Sequence, residues 1–185
     1  MSLLDKIKSL ASEHFEEIRK NRHYLHANPE LSYQEYNTAK YVAEQLRSYG
    51  IKPTEGVAET GLTAIIEGQN PSKKVIALRA DLDALPIQEA NNVAYKSLKE
   101  GVMHACGHDV HTSSLLGTAQ ILHSIREKFE GTIKLIFQPG EEKNPGGASL
   151  MIKDGALSNP APSHILGQHV FPLLPVGKIG FREGM

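Results

Sequence analysis

The stretch MHACGHDVHT, Met103 to Thr112, constrains this chain more than any other. It holds His104, Cys106, His108 and His111, three of the nine histidines and the only cysteine, with Asp109 among them. Cysteine, histidine and carboxylate side chains are the donors that a borderline-soft divalent ion binds. The residues before this stretch read as a sheet that carries it, and those after it as the source of further ligands. The alternative is a buried cysteine beside solvent-facing histidines.

Apolar spacing at Leu3, Ile7, Leu10, Phe15, Ile18 and Tyr24 predicts one helix from Leu3 to about Leu25. Asn28-Pro29 ends it, because proline disfavours helical geometry in the residue before it. Ser32 with Glu35 reads as a capping box for a second helix through Tyr41, Val42 and Leu46, closed by Gly50. Strands are expected over Leu62–Glu67 and Lys74–Ala80, the second apolar almost throughout, as in a strand covered on both faces. It runs into Asp81-Leu82-Asp83. Residues 88–102 read as a polar surface loop, and His111–Lys128 as a helix with Leu115, Leu116, Ala119, Leu122 and Ile125 on one face. A buried strand follows over Thr132–Phe137, then Pro139-Gly140-Glu141-Glu142, a short helix around Ala148–Lys153, and strands over His164–Val170 and Lys178–Phe181.

Strands alternating with helices imply an α/β domain, a layered sheet of mixed, mostly parallel strands flanked by helices. Ligands of such sheets sit beyond the carboxyl ends of the strands. Asp81, Asp83, Glu141, Glu142 and His169 each follow or end an apolar strand, so the fold can gather them around the 104–111 loop. Taken alone, the acidic pair is a solvated turn, His169 a satisfied core histidine, and Asp81 and Asp83 a helix cap or an Arg79 partner. In a metal site, one glutamate binds metal, the other moves a proton, and an aspartate orients a ligand histidine. His164 reads as structural, and His14, His23, His26 and His123 carry no assigned chemistry.

Formal net charge is −1, with both signs interspersed, so nothing suggests nucleic acid as a partner. A single cysteine makes no internal disulfide. The charged N-terminus does not read as a signal peptide, and no apolar run approaches a membrane span. The expected compartment is the cytoplasm. Motifs for a serine elbow, a phosphate loop or H-E-x-x-H are missing. A cysteine hydrolase using Cys106 is the rival chemistry, but it leaves Glu141, Glu142 and the density of histidines unused.

The blocks RHYLHANPELSYQE, ALRADLDALPIQE, MHACGHDVHT, IFQPGEE and GQHVFPLLPVGKIG occur in that order from Arg22 to Gly180. Together they resemble the metal-dependent amidohydrolases that include N-acyl-amino-acid hydrolases, hippurate hydrolases and plant auxin-conjugate hydrolases, relatives of aminoacylase and the glutamate carboxypeptidases. The resemblance implies a zinc-exopeptidase-like catalytic domain with two divalent metal ions (zinc, manganese, nickel or cobalt) and hydrolysis of the amide of an N-acyl amino acid. It implies Cys106, His108, Glu142 and His169 as metal ligands, with Cys106 as a bridging thiolate. Glu141 would be the general base and Asp83 the supporting acid.

Members of that family are longer, with an inserted lid domain and a last metal-binding histidine after it. The resemblance therefore implies that residues 1–181 are the N-terminal portion of the catalytic domain and that 182–185 begin the connection to the lid. A chain truncated in this way would lack one ligand and expose an apolar sheet edge. Self-association or a complementing C-terminal segment is the expected consequence, and a non-catalytic metal-binding remnant, or half of a split enzyme, is the alternative reading.

Overall fold

The computed structural model describes residues 2–181. Its helices are α1 (Leu3–Glu13), α2 (Phe15–Ala27), α3 (Tyr36–Ser48), α4 (His108–Ser124) and α5 (Gly147–Lys153). The strands are β1 (Pro53–Val57), β2 (Gly61–Glu67), β3 (Val75–Asp81), β4 (Thr132–Gln138) and β5 (His164–Gly167), in the sheet order β1-β2-β4-β3-β5. β3 pairs in parallel with β4 and β5, while β2 is antiparallel to both β1 and β4. Four strands thus share one direction and β2 alone opposes them. The sheet is mixed and its strands mostly parallel, as expected. No helix of the described residues is long and apolar enough to cross a membrane.

The main core lies on one face of the sheet. Leu62, Ala64 and Ile66 of β2, Leu135 and Phe137 of β4 and Ala80 of β3 meet Val42 and Leu46 of α3 and Leu115, Leu116 and Ala119 of α4. Burying each large side chain in this layer contributes about 1.5–3 kcal/mol. On the opposite face Ala77 and Ile136 meet Met151 of α5 and Ala156. β3 is therefore covered less completely than its sequence suggests. Its central Leu78 and Arg79 are half-buried, because the neighbouring β5 is exposed along its length.

Several local readings need correction. The first helix breaks at His14, whose backbone caps α1 and opens α2. The break lets two short helices follow different parts of α4: Leu10 packs with Ile121 and Ile125, and Ile18 sits against Gly117. The capping box at Ser32 does not form. Glu30 performs that task instead, accepting from the Thr38 backbone N–H at 2.8 Å and from Asn37 at 2.7 Å, and α3 starts at Tyr36. Ser32 and Glu35 have distant partners that outcompete the local bond. β1 was not anticipated, and residues 178–181 form no strand, having no neighbour to pair with among the described residues. Residues 182–185, where a lid connection was expected, lie outside the described residues.

The 88–102 loop is strapped down at Glu89, which is buried with His26. His26 lies between two carboxylates, with Nδ1 2.7 Å from Asp109 Oδ2 and Nε2 3.1 Å from Glu89 Oε1. Arg22 closes the group, its Nε 2.9 Å from Asp109. Hydrogen bonding to Asp109, aided by Glu89, raises the His26 pKa despite burial and the opposing charge of Arg22. A raised histidine stabilises the fold fully below its unfolded value of about 6.5, and that contribution is lost as pH rises through the folded value. His26→Leu should cost about 3 kcal/mol, since it leaves buried carboxylates short of a partner. Urea midpoints measured upward from pH 6 should fall in the wild type and fall less in the variant.

Candidate metal centre

The shared direction of β3, β4 and β5 brings their carboxyl ends to one edge. β3 delivers Asp81 and then Asp83, β4 delivers Glu141 and Glu142 through Pro139-Gly140, and β5 is followed by His169. The N-terminus of α4 enters the same edge with His108 and His111. α4 starts three residues before its expected position because Gly107 takes a left-handed φ of 89° as its N-cap. That glycine also makes room: a Cβ there would lie 2.3 Å from Val170 Cγ2.

His108 is the hub. Its Nδ1–H donates to the Asp83 backbone carbonyl at 2.8 Å, with the Asp83 carboxylate 3.3 Å away, so Nε2 is the free nitrogen. Nε2 is buried and has no hydrogen-bond partner. It lies 3.8 Å from Glu142 Oε1, 3.9 Å from Glu141 Oε2 and 3.8 Å from Asp81 Oδ2. His169 points its Nε2 at Cys106 Sγ, 3.5 Å away, while its Nδ1–H donates to the Val170 carbonyl at 2.7 Å. Both histidines thus present Nε2 to the same space.

Two donor sets result, Cys106 with His108 and His169, and His108 with Glu141 and Glu142. Within each, the donor atoms lie within 4.8 Å of one another. A third grouping, Asp81 with His108 and His111, meets the same distance, but its Asp81–His111 pair is already hydrogen-bonded at 2.6 Å. His108, Asp81 and Asp83 are buried, whereas Glu141, Glu142 and His169 are open to solvent, so the site has a floor and an entrance.

The electrostatics also fit a cation. Arg79 balances Asp81 at 2.5 Å, but Glu141 and Glu142 face only His108 among the ion pairs of the described residues. Burial and the nearby carboxylates of Glu142 and Glu141 push the Cys106 thiol up to about 12. Burial would raise Asp83 too, yet bonds from His108, Ser32 and the backbone of Glu142 and Glu141 outweigh it and bring the carboxyl down to about 2. A bound divalent ion would be the largest positive charge here and would reverse the effect on the thiol. The orphaned imidazole nitrogen, the thiol and the unbalanced glutamates suit such an ion.

The profile of peptidase family M20/M25/M40 matches residues 77–184, from β3 through every group of the centre. The chain belongs to this family. It is 43% identical to an N-acyl-L-amino acid amidohydrolase of Geobacillus stearothermophilus over 180 residues, covering 97% of this chain and 48% of that protein. It is 45% identical to a hippurate hydrolase of Campylobacter jejuni over 184 residues, covering 100% of this chain and 46% of that protein. A crystal structure of a dinuclear metal-binding peptidase of the M20 family from Bacillus subtilis matches with a TM-score of 0.86 and 42% identity, covering 96% of this chain and 48% of that one. The chain spans about half the length of the curated relatives it matches.

Within this M20 fold the structure brings together Asp83, Cys106, His108, Glu141, Glu142 and His169, and leaves His164 at the exposed start of β5. Sequence reading missed the supports of the glutamate turn. Ser32 Oγ donates to Asp83 Oδ2 at 2.6 Å, and Glu35 accepts from Thr60 at 2.6 Å and from the Gly140 N–H at 2.8 Å. The Tyr33 hydroxyl donates to the Lys143 carbonyl at 2.7 Å. Their only sequence signal is a row of polar side chains, which the local capping pattern explained equally well.

Gly107→Ala should combine left-handed strain with the contact on Val170 and cost about 1–3 kcal/mol. Chemical denaturation would measure that loss. Zinc affinity should fall along with stability, because Val170 is bonded to the chain at His169.

Proposed function

We propose that this chain is the N-terminal catalytic portion of a metal-dependent amidohydrolase that cleaves the amide of N-acyl amino acids or similar small conjugates. The observation that carries the reading is the free, buried His108 Nε2 shared by two adjoining donor sets. Cys106, His108, Glu142 and His169 hold the ions in this reading. The thiol and imidazoles favour zinc, cobalt or nickel over manganese, which prefers oxygen donors. When bound, such ions polarise the scissile carbonyl and lower the pKa of the attacking water.

The remaining work falls to side chains of this protein. Asp83 orients His108 through its backbone carbonyl and fixes the glutamate turn by accepting the Glu142 N–H at 2.9 Å. Glu141, exposed beside Glu142, takes a proton from water as the general base and returns it to the leaving amine. Both carboxylates face His108 Nε2, Glu142 Oε1 at 3.8 Å and Glu141 Oε2 at 3.9 Å, so base and ligand would stand side by side. The names of the Geobacillus and Campylobacter relatives support the substrate class. A reduced thiol fits our placement of the chain in the cytoplasm. We assign self-association, or pairing with a complementing segment, to the outer edge of β5, where Ile165 and Leu166 are exposed.

A cysteine nucleophile would need a thiolate, and burial together with the surrounding carboxylates opposes one at Cys106. The non-catalytic alternative draws on the chain spanning about half of its relatives. Elemental mass spectrometry on the purified chain separates these readings. About one firmly held equivalent of transition metal, a second held weakly, and weak, chelator-sensitive hydrolysis of N-acyl amino acids are the result the proposal expects. Glu141→Gln should keep the metal and lower turnover by about 10²–10⁴-fold. A folded chain without metal would overturn the proposal, and metal without turnover would favour the remnant.

A further inference from the structure

His111 belongs to the central motif, yet the mechanism leaves it without a task. It is buried, and both ring nitrogens are committed. Nδ1 lies 2.6 Å from Asp81 Oδ1, and Nε2 accepts the backbone N–H of Val170 at 2.9 Å. The second bond fixes the tautomer: Nε2 carries no proton, so Nδ1 does and donates to Asp81. Asp81 is in turn held by Arg79 at 2.5 Å, while the Thr112 hydroxyl donates to its backbone carbonyl at 2.6 Å. On the other side, the His111 ring stands 4.5 Å from the His169 ring at 65°. Val170 also packs on Gly107, where no Cβ would fit. The chain leaves the sheet at Gly167, so His169 has no strand pairing to hold its backbone.

We propose that His111 is a positioning residue: the relay Asp81–His111–Val170 N–H anchors the backbone beside His169 and holds that imidazole toward Cys106. The inference rests on the metal-site reading above and deepens it. A charge-neutral link with one donor and one acceptor does what a strand ladder does elsewhere in the sheet. It also explains why the Asp81, His108 and His111 grouping need not be a site of its own, since the donor atoms of His111 are already engaged.

The test is cobalt binding by the full chain, followed by the thiolate-to-cobalt absorption band, for wild type, H169A, H111F and H111Q. Glutamine has an amide donor and an acceptor on one planar group and can keep both bonds, whereas phenylalanine fills the space and keeps neither. H111F should weaken the His169-dependent ion by about 10–100-fold, close to H169A, while H111Q stays within a few-fold of wild type. Wild-type binding by H111F would overturn the inference alone, as would H111Q being as weak as H111F. A wild-type chain that binds no cobalt would overturn the metal reading and the inference together.

Because H111F could fail to fold, long-range proton–nitrogen NMR of the unmutated chain gives a second readout. His111 should show a protonated Nδ1 and a bare Nε2, unchanged when zinc is added. A large zinc-induced shift at His111 Nε2 would overturn the inference.

Discussion

Asp83 is the junction on which the rest of the centre depends. One residue accepts the Ser32 hydroxyl at 2.6 Å, the Glu142 N–H at 2.9 Å and, through its own carbonyl, the His108 Nδ1–H at 2.8 Å. Those partners lie on the α2–α3 connection, the turn after β4 and the first turn of α4. A buried carboxylate is costly unless it is bonded; Oδ2 takes the Ser32 and Glu142 bonds, while Oδ1 has no hydrogen bond and faces His108 Nδ1 at 3.3 Å. The result is a low carboxyl pKa and a histidine whose remaining nitrogen has one direction to face.

Around that junction the molecule concentrates negative charge more than stability alone would favour. Among the described residues Glu141 and Glu142 have no lysine or arginine partner, and burial together with the neighbouring carboxylates raises the pKa of the only cysteine. Local conflicts of this kind occur where a protein is built for chemistry, the surroundings having been arranged to tolerate them. The tolerance has a structural source. Behind the centre, Asp109 is gripped by His26 and Arg22 at 2.7 and 2.9 Å, which clamps the first turn of α4 from its far side. His108 is thus fixed between two ionic clusters rather than carried on a free helix end.

The supports of the centre were the least legible part of the chain. Ser32 and Glu35 fit a local capping box by spacing, yet their partners stand far away: Asp83 is 51 positions from Ser32, and Gly140 is 105 from Glu35. His26 carried no visible role because Asp109 is 83 positions on. Hydrogen-bond partners at such separations leave no periodic trace. The strands and long helices do leave one, which is why β2, β3, β4 and α4 were readable to within a few residues. β1, with only Pro53 buried and a bulge before Val57, offered little apolar alternation to read.

By itself, the sequence determined the elements whose apolar pattern faces a core, the placement of acidic and ligating residues after strand ends, and the family likeness of five ordered blocks. Only the tertiary structure decided which way those residues turn. It gave the Thr38 N–H to Glu30 rather than to a capping box at Ser32, ended β5 at Gly167, and left Nε2 of His108 without a hydrogen-bond partner. The reason is physical. Burial periodicity is a property of neighbouring residues, whereas the proton on a ring nitrogen is set by whichever distant acceptor the fold brings to it.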